Sequence, residues 1–292
     1  MSQFIAILFT DTPQVPYGSS IAKKYGDYGD QSIKLLEDNI PSNLPHPNYS
    51  FKKYRTKEYM QLPSDDELKS CCGVLVTGSR SDSFDNHEEW LIQLEKFLGK
   101  LLLDEQSPYY KKIPVVGICF GHQLLAKLFD NNGHSDGHQI VGRNHQGWEL
   151  GLKEIAISEK FTKYAESLLQ EQSTDQETSF STGNFRKLWL VESHQDVVYS
   201  VPSSNLDLLS IGSTNICEVQ GLFDGKSVLT FQGHPEFDTD FQDYVLLHRD
   251  VDIGILTMDE YREMIGKSGR INDGWKIGQL INAFYQRFGD YA

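Results

Sequence analysis

An alternation constrains this chain more than any other feature. Short apolar runs, each too brief for a buried helix, take turns with stretches of helical periodicity. "FIAILFT" (4–10), "GVLVTG" (73–78) and "IPVVGI" (113–118) are continuous and rich in β-branched residues, the pattern of strands buried on both faces. Between the first two, "QSIKLLEDNI" (31–40) carries an amphipathic stripe and stops at Pro41, which cannot continue a helix. Trp90, Leu94, Phe97, Leu98 and Leu101 share one face of a second helix, and Asn86 with Glu89 predicts a capping box at its start. A third helical stretch, "LLAKLF" (124–129), follows the third strand. Strands joined by helices in this order form a mostly parallel sheet with helices on both faces, an α/β fold.

Beyond residue 135 the pattern changes. "ELGLKEIAI", "KLWLVES", "LLSIGS", "CEVQGLF" and "SVLTFQG" read as successive strands with tight turns, an antiparallel section expected to continue the sheet. The C-terminal stretch "GWKIGQLINAFYQRF" returns to helix, with Ile277, Leu280, Ile281, Phe284 and Phe288 as its apolar stripe. The Pro-rich "PSNLPHPN" (41–48) and the polar "EQSTDQETSFSTG" (171–183) have little to bury and read as insertions. With 292 residues and no clean linker, the expectation is one main domain over 1–250, with a helical extension over 251–292 packed on it.

Charge and cysteine usage narrow the partners. A formal net charge of −14 leaves nothing to neutralise a phosphate backbone, so nucleic acid is not an expected partner. "MSQFIAILFTDTP" has no basic flank and its apolar stretch ends at Asp11, so it reads as a core strand rather than a signal peptide. No segment is long and apolar enough to span a bilayer. A cytoplasmic location is expected, with Cys71, Cys72, Cys119 and Cys217 as thiols rather than a disulfide framework.

One cysteine stands out. "GICFGHQ" (117–123) sits where the third strand runs into the third helix. Gly117-Ile-Cys119-Phe-Gly121 is the thiol version of the G-x-S-x-G elbow, in which a strand turns sharply into a helix and strains its central residue. The flanking glycines remove side chains that would clash. The sulfur would project at the carboxyl edge of the sheet, above a helix N-terminus that favours thiolate, and the Phe120 N–H would be placed to donate to an oxyanion. By itself the pattern is weak, and more often that of a small core residue. A nucleophile needs a base, and the base an orienting group.

"FQGHPEF" (231–237) supplies both types. Pro235 keeps His234 extended, and extended residues two apart point to one side, so His234 and Glu236 are neighbours by construction. Glu236 can fix the imidazole tautomer while the other ring nitrogen faces the thiol. His134 and His138 are four apart, but Gly133 and Gly137 argue against a helical metal pair, and no metal or other cofactor is expected. His46, His87, His145 and His248 lack a companion pattern, and His122 is expected to pack within the first helical turn.

At this point the chain resembles the class I glutamine amidotransferases, whose sites use a Cys-His-Glu triad on a flavodoxin-like glutaminase fold. "GICFGHQ", "FQGHPEF", "VLVTGSRSD" (74–82) and "ESHQDVV" (192–198) carry the resemblance in the family's order. It implies Cys119 as nucleophile, His234 as base and Glu236 as orienter. It implies a second oxyanion N–H from Ser79, with Gly78 allowing the turn, although many relatives carry Gly-Gly-Pro where this chain has "TGSR". It places Gln123 near the substrate side chain, and Ser193, His194, Gln195 and Asp196 in a loop around the substrate's α-amino and α-carboxylate groups. Arg80 reads equally as a carboxylate contact or a surface residue.

The implied chemistry is attack on a γ-glutamyl carbonyl, a γ-glutamyl thioester and its hydrolysis. Ammonia as leaving group would make the chain a glutaminase feeding a separate synthetase. An amino acid or peptide would make it a γ-glutamyl peptidase on glutathione-like molecules. "TGSR", "GWELG" (147–151) and "ESHQD" look more like the stand-alone γ-glutamyl peptidase-like, GMP-synthetase-like branch of plants and fungi. A non-catalytic regulator or redox sensor on the same fold is the reading from another class. The loop "YGDYGD" (25–30) is either a pocket wall or a turn. A protein partner, if any, is not specified by the sequence.

Overall fold

A computed structural model describes residues 3–11, 24–41, 48–84, 87–130, 139–170, 185–203, 207–251, 254–267 and 271–289. In chain order the elements are β1 (Gln3–Phe9), α1 (Tyr28–Asp38), β2 (Tyr49–Arg55), α2 (Thr56–Tyr59), α3 (Asp65–Leu68), β3 (Cys71–Val76), α4 (Glu89–Leu102), β4 (Val115–Ile118) and α5 (Phe120–Leu128). Then come β5 (Val141–Arg143), β6 (Glu149–Ile157), α6 (Glu159–Gln170), β7 (Lys187–His194), β8 (Asp196–Val198), β9 (Leu209–Ser210), β10 (Gly212–Ser213), β11 (Leu222–Phe223) and β12 (Val228–Phe231). The chain closes with α7 (Thr239–Val245), a π-helical turn (Leu246–Val251), α8 (Met258–Lys267) and α9 (Gly274–Phe288).

The central sheet has seven strands in the order β2-β1-β3-β4-β12-β11-β9. Pairing is parallel from β2 through β12 and antiparallel at β11 and β9. The expected mostly parallel α/β sheet with an antiparallel section is therefore present. Its buried strands alternate between two cores, as a period of two requires. Phe4, Ala6 and Leu8 of β1 face α4 and α5, with Trp90, Leu94, Leu98 and Leu124. Ile5 and Ile7 face the other side, where Leu36 of α1, Phe161 of α6 and Ile277, Leu280, Ile281 and Phe284 of α9 pack. Among the described residues no helix is long and apolar enough to cross a membrane.

Asn282 ties α9 to this frame. It is fully buried; its Nδ2 donates to the carbonyls of Leu36, Asn39 and Gly278 at 2.9, 3.0 and 3.0 Å, and its Oδ1 accepts from the Tyr49 hydroxyl at 2.8 Å.

Several elements differ from expectation. β6 and β7 do not continue the main sheet. With β10 they form a separate antiparallel one. β2 follows the Pro-rich loop unannounced, because "YSFKKYR" is a half-exposed edge strand whose lysines discourage further pairing. α4 starts at Glu89 with Glu88 as its N-cap and no side-chain cap bond. Asn86, most of the Pro-rich loop and residues 171–183 lie outside the described residues. All four cysteines are free and buried, as expected of thiols.

Candidate active site

The strand-to-helix junction is sharp. Cys119 takes φ 50° and ψ −101° between the last residue of β4 and the first of α5, in the left-handed region that costs a non-glycine residue energy. Its glycine flanks are steric necessities. A Cβ on Gly117 would lie 2.6 Å from the Gly121 carbonyl carbon, and one on Gly121 would lie 2.5 Å from the Val76 oxygen. The elbow is pinned by the Cys119 N–H donating to Phe231 O at 2.8 Å and the Gln123 N–H donating to Cys119 O at 3.0 Å.

The parallel register of β4 and β12, with Phe231 opposite Ile118, brings "FQGHPEF" to the cysteine. His234 Nδ1 lies 2.8 Å from Glu236 Oε1, with both side chains buried. Its ring stacks on Phe237 at 4.1 Å, and its N–H donates to Val191 O at 2.8 Å. Asn272 Nδ2 donates to the carbonyls of His234 and Phe237 at 2.8 and 2.7 Å, so the segment before α9 fixes this turn. Burial opposes charge on His234, but the Glu236 carboxylate and the Cys119 sulfur outweigh it and push the imidazole up to about 10.

Gln232 Nε2 donates to Cys119 Sγ at 3.5 Å, a contact the sequence reading missed. The alternation that pairs His234 with Glu236 also puts Gln232 on their side, so the signal was there. Gln232 Oε1 accepts from Gln123 Nε2 at 3.1 Å, which also donates to Asp196 O at 2.9 Å. The Gln123 amide oxygen lies 3.4 Å from the Ser83 hydroxyl. Gln123 is thus turned into a buried chain that ends at the sulfur.

His194, expected in a substrate loop, ends β7 with its ring buried. Nδ1 lies 3.0 Å from Asp196 O, a pure acceptor, so this nitrogen carries a proton. Nε2 lies 3.1 Å from Glu149 Oε2 and 3.2 Å from Glu192 Oε2, and two carboxylates call for a second proton there. Burial opposes this charge, yet the two acids push His194 up to about 10. Burial pushes Glu192 up, whereas for Glu149 the bond to His194 overcomes burial and holds the carboxyl below its usual range. Gln220 Nε2 donates to Glu149 Oε2 at 2.9 Å. Neither glutamate was singled out from sequence as a site residue. The donor atoms of Glu149, His194 and Cys217 lie within 4.8 Å of one another, the one such group among the described residues. A zinc ion with bonds of ~2.0–2.3 Å needs its ligand atoms roughly 3.5 Å apart. With His194 Nε2 already between two carboxylates, this geometry is that of a hydrogen-bonded cluster.

Gly78 lies beside the pair: a Cβ there would be 3.0 Å from His234 Cε1 and 3.7 Å from Cys119 Cβ. Ser79 follows it, and Phe120 opens α5. Ser193 is the penultimate residue of β7, Gln195 is the bend, and Asp196 opens β8. Asp196 Oδ1 accepts from Arg143 at 2.8 Å, and the same guanidinium reaches Asp82 at 2.9 Å. Arg80 pairs with both carboxylate oxygens of Asp11, each at 2.9 Å. In "YGDYGD" Asp27 and Asp30 form the capping box of α1, while Tyr25 and Tyr28 pack on Phe241 and Phe237 behind His234. His145 stacks on Tyr199 and His248 packs on Tyr244. His46, His134 and His138 lie outside the described residues.

Known proteins resemble this chain in sequence and in fold. The family profile "Glutamine amidotransferase class-I" matches residues 99–252. A Saccharomyces cerevisiae protein assigned by name as a glutamine amidotransferase is 33% identical over 241 residues, 81% of this chain and 79% of its own. Gamma-glutamyl peptidase 4 of Arabidopsis thaliana is 30% identical over 235 residues, 80% of this chain and 76% of its own. The crystal structure of a glutamine amidotransferase from Thermotoga maritima superposes with a TM-score of 0.61 at 17% identity, covering 99% of this chain and 100% of that one. That last likeness establishes the shared fold. With the profile spanning more than half of the sequence and the relatives four-fifths of it, the chain belongs to the class I glutamine amidotransferase family.

Proposed function

We propose that this chain hydrolyses γ-glutamyl amide bonds through a γ-glutamyl thioester on Cys119, and that its substrates are small γ-glutamyl peptides of the glutathione kind. The observation carrying the proposal is the strained Cys119 at a helix N-terminus, facing a His234 whose Nδ1 is 2.8 Å from Glu236. The sulfur attacks the γ-carbonyl carbon and the oxyanion is met by the N–H groups of Phe120 and Ser79. The thiol proton passes to His234 and on to the leaving nitrogen as the C–N bond breaks. Water then gives a proton to His234 and attacks the thioester carbon, and the C–S bond breaks to release glutamate. Glu236 holds the Nδ1–H throughout. Ser193, Gln195 and Asp196 are the proposed contacts of the substrate's α-groups, with Gln123 and His194 supporting them from below. The described residues of the 251–292 extension belong to the same folding unit in this reading, because Asn272 and α9 brace the His234 turn and the sheet.

The peptidase reading leans on the Arabidopsis peptidase relative. The glutaminase reading leans on a glutamine-hydrolyzing GMP synthase component of Methanothermobacter thermautotrophicus, 28% identical over 203 residues. Offering glutamine and glutathione side by side separates them: release of Cys-Gly supports the peptidase, release of ammonia the glutaminase. Cys119→Ala is expected to abolish either release and to stop labelling by a diazoketone glutamine analogue. Undiminished labelling of that variant would sink the nucleophile assignment. A wild-type chain that releases neither product would make the protein a non-catalytic member of its family.

A further inference from the structure

One peptide beside the nucleophile is held from behind. Thr10 and Thr77 are the first residues beyond the neighbouring strands β1 and β3, and both are fully buried. The Thr77 hydroxyl donates to Gly78 O at 3.1 Å. It accepts from the Thr10 N–H at 3.2 Å. The Thr10 hydroxyl lies 3.0 Å from Thr77 O and 3.2 Å from Gly78 O. Each hydroxyl has one proton, and this set uses both on carbonyl oxygens, with the Gly78 oxygen within reach of either.

Fixing that oxygen fixes what lies opposite. The chain has no cis peptide among the described residues, and in a trans peptide the C=O and the next N–H point in opposite directions. The Ser79 N–H therefore points away from the threonines. Among the described residues it makes no hydrogen bond, and the Ser79 hydroxyl is turned aside, accepting from the Ser81 N–H at 3.1 Å. On the cleft side of the same peptide stand His234 and Cys119, the former only 3.0 Å from where a Gly78 Cβ would be.

We propose that Thr10 and Thr77 are positioning residues that preform the oxyanion hole, holding the Gly78 carbonyl so that the Ser79 N–H faces the reacting carbonyl before substrate arrives. The proposal rests on Cys119 as the nucleophile. A peptide free to flip would instead present its carbonyl oxygen to the oxyanion, which repels it. The hydroxyls make no contact with the substrate and act only through the peptide.

The test is kinetic, on the full chain with whichever γ-glutamyl substrate it turns over. Loss of an oxyanion donor costs about 10²–10³ in kcat, and a loosened donor costs less. Thr77→Val is expected to lower kcat about 10- to 100-fold with KM within about twofold. Alkylation of Cys119 by iodoacetamide, a displacement with no oxyanion, should keep its wild-type rate. Thr77→Ser restores the hydroxyl and should restore kcat. Thr10→Val gives the same direction at smaller size and serves if Thr77→Val does not fold. Undiminished kcat in both valine variants, alkylation falling in step with kcat, or Thr77→Ser as impaired as Thr77→Val would each overturn the clamp. An active wild type with undiminished valine variants removes the clamp alone. A wild type inert toward both substrates removes the hydrolase reading and the clamp with it.

Discussion

His122 stands three residues past the nucleophile, where a histidine invites a role as base, and its surroundings deny it the charge. It is fully buried, its Nδ1 is 2.9 Å from the Thr230 hydroxyl and its Nε2 is 3.2 Å from Val219 O. The carbonyl can only accept, so Nε2 carries the proton and Nδ1 accepts from Thr230. Burial lowers its pKa from 6.5 to about 3, against the Val219 carbonyl and with help from the charge on His194. The sign follows from linkage. A depressed histidine stabilises the fold fully above its unfolded pKa, and the contribution is lost as pH falls through 6.5 toward about 3. At pH 5 the unfolded chain has gained ~1.5 pK units' worth of protonation, about 2 kcal/mol at ~1.36 kcal/mol per unit. By pH 3 the loss approaches ~5 kcal/mol. His122→Gln keeps one donor and one acceptor but cannot ionise. Urea unfolding of both proteins at pH 7.5 and pH 5 isolates the effect, because every other titrating group is common to them. Between those two pH values wild type should lose about 2 kcal/mol more than the variant. Where the variant turns over substrate, the acid limb of its rate profile should be unmoved, since His122 takes up no proton there. Equal losses in the two proteins, within ~0.5 kcal/mol, would refute the neutral assignment.

Two further outcomes are expected. Gln232→Leu removes the donor to Cys119 Sγ and strands the Gln123 amide between fewer partners. A hydrogen bond to a charged group is worth ~1.5–3 kcal/mol, so kcat should fall roughly 10- to 100-fold and iodoacetamide alkylation at neutral pH should slow, while the buried Gln123 amide, one acceptor short, should cost about 1–3 kcal/mol in urea unfolding. Asn282→Leu leaves the Tyr49 hydroxyl and two carbonyls of the α1 terminus unpaired, which should cost about 2–4 kcal/mol in urea unfolding while leaving kcat unaffected.

What the sequence made legible follows burial. β1, β3 and β4 are apolar on both faces, so their runs announce strands without help from partners. β2 forms because seven of its residues pair with β1, an energy carried by backbone bonds that leave no apolar pattern. α6, which the sequence reading missed, nonetheless carries a legible stripe, with Phe161, Ala165 and Leu168 at helical spacing and all buried. The strand expected over "KLWLVES" runs on to His194, and Glu192 and His194 continue the inward face begun by Leu188 and Leu190. Polar residues pointing inward erase the alternation that marks a strand. Their partner Glu149 lies on β6, more than forty residues away, and no local rule connects them. Cys119, His234 and Glu236 are legible because elbow strain and an extended His-Pro-Glu are local properties.

What aligns them is not local. In a parallel sheet every strand ends at the same edge, so the first residue beyond each strand joins a row along it. Here that row, in sheet order β1-β3-β4-β12, is Thr10, Thr77, Cys119 and Gln232. Its members touch sideways: Thr10 bonds Thr77, and Gln232 reaches the Cys119 sulfur. The row is set by register, and register by apolar pairs such as Val228 opposite Val115 and Leu229 opposite Val116. A slip of one residue between β4 and β12 would put Gly233 in the place of Gln232 and turn His234 to the opposite face. It would also expose Val228 and Leu229 to the wrong core, since they pack into different ones. The burial that selects the register therefore also brings sulfur and imidazole together, and core substitutions on β12 should disturb the site before they unfold the chain.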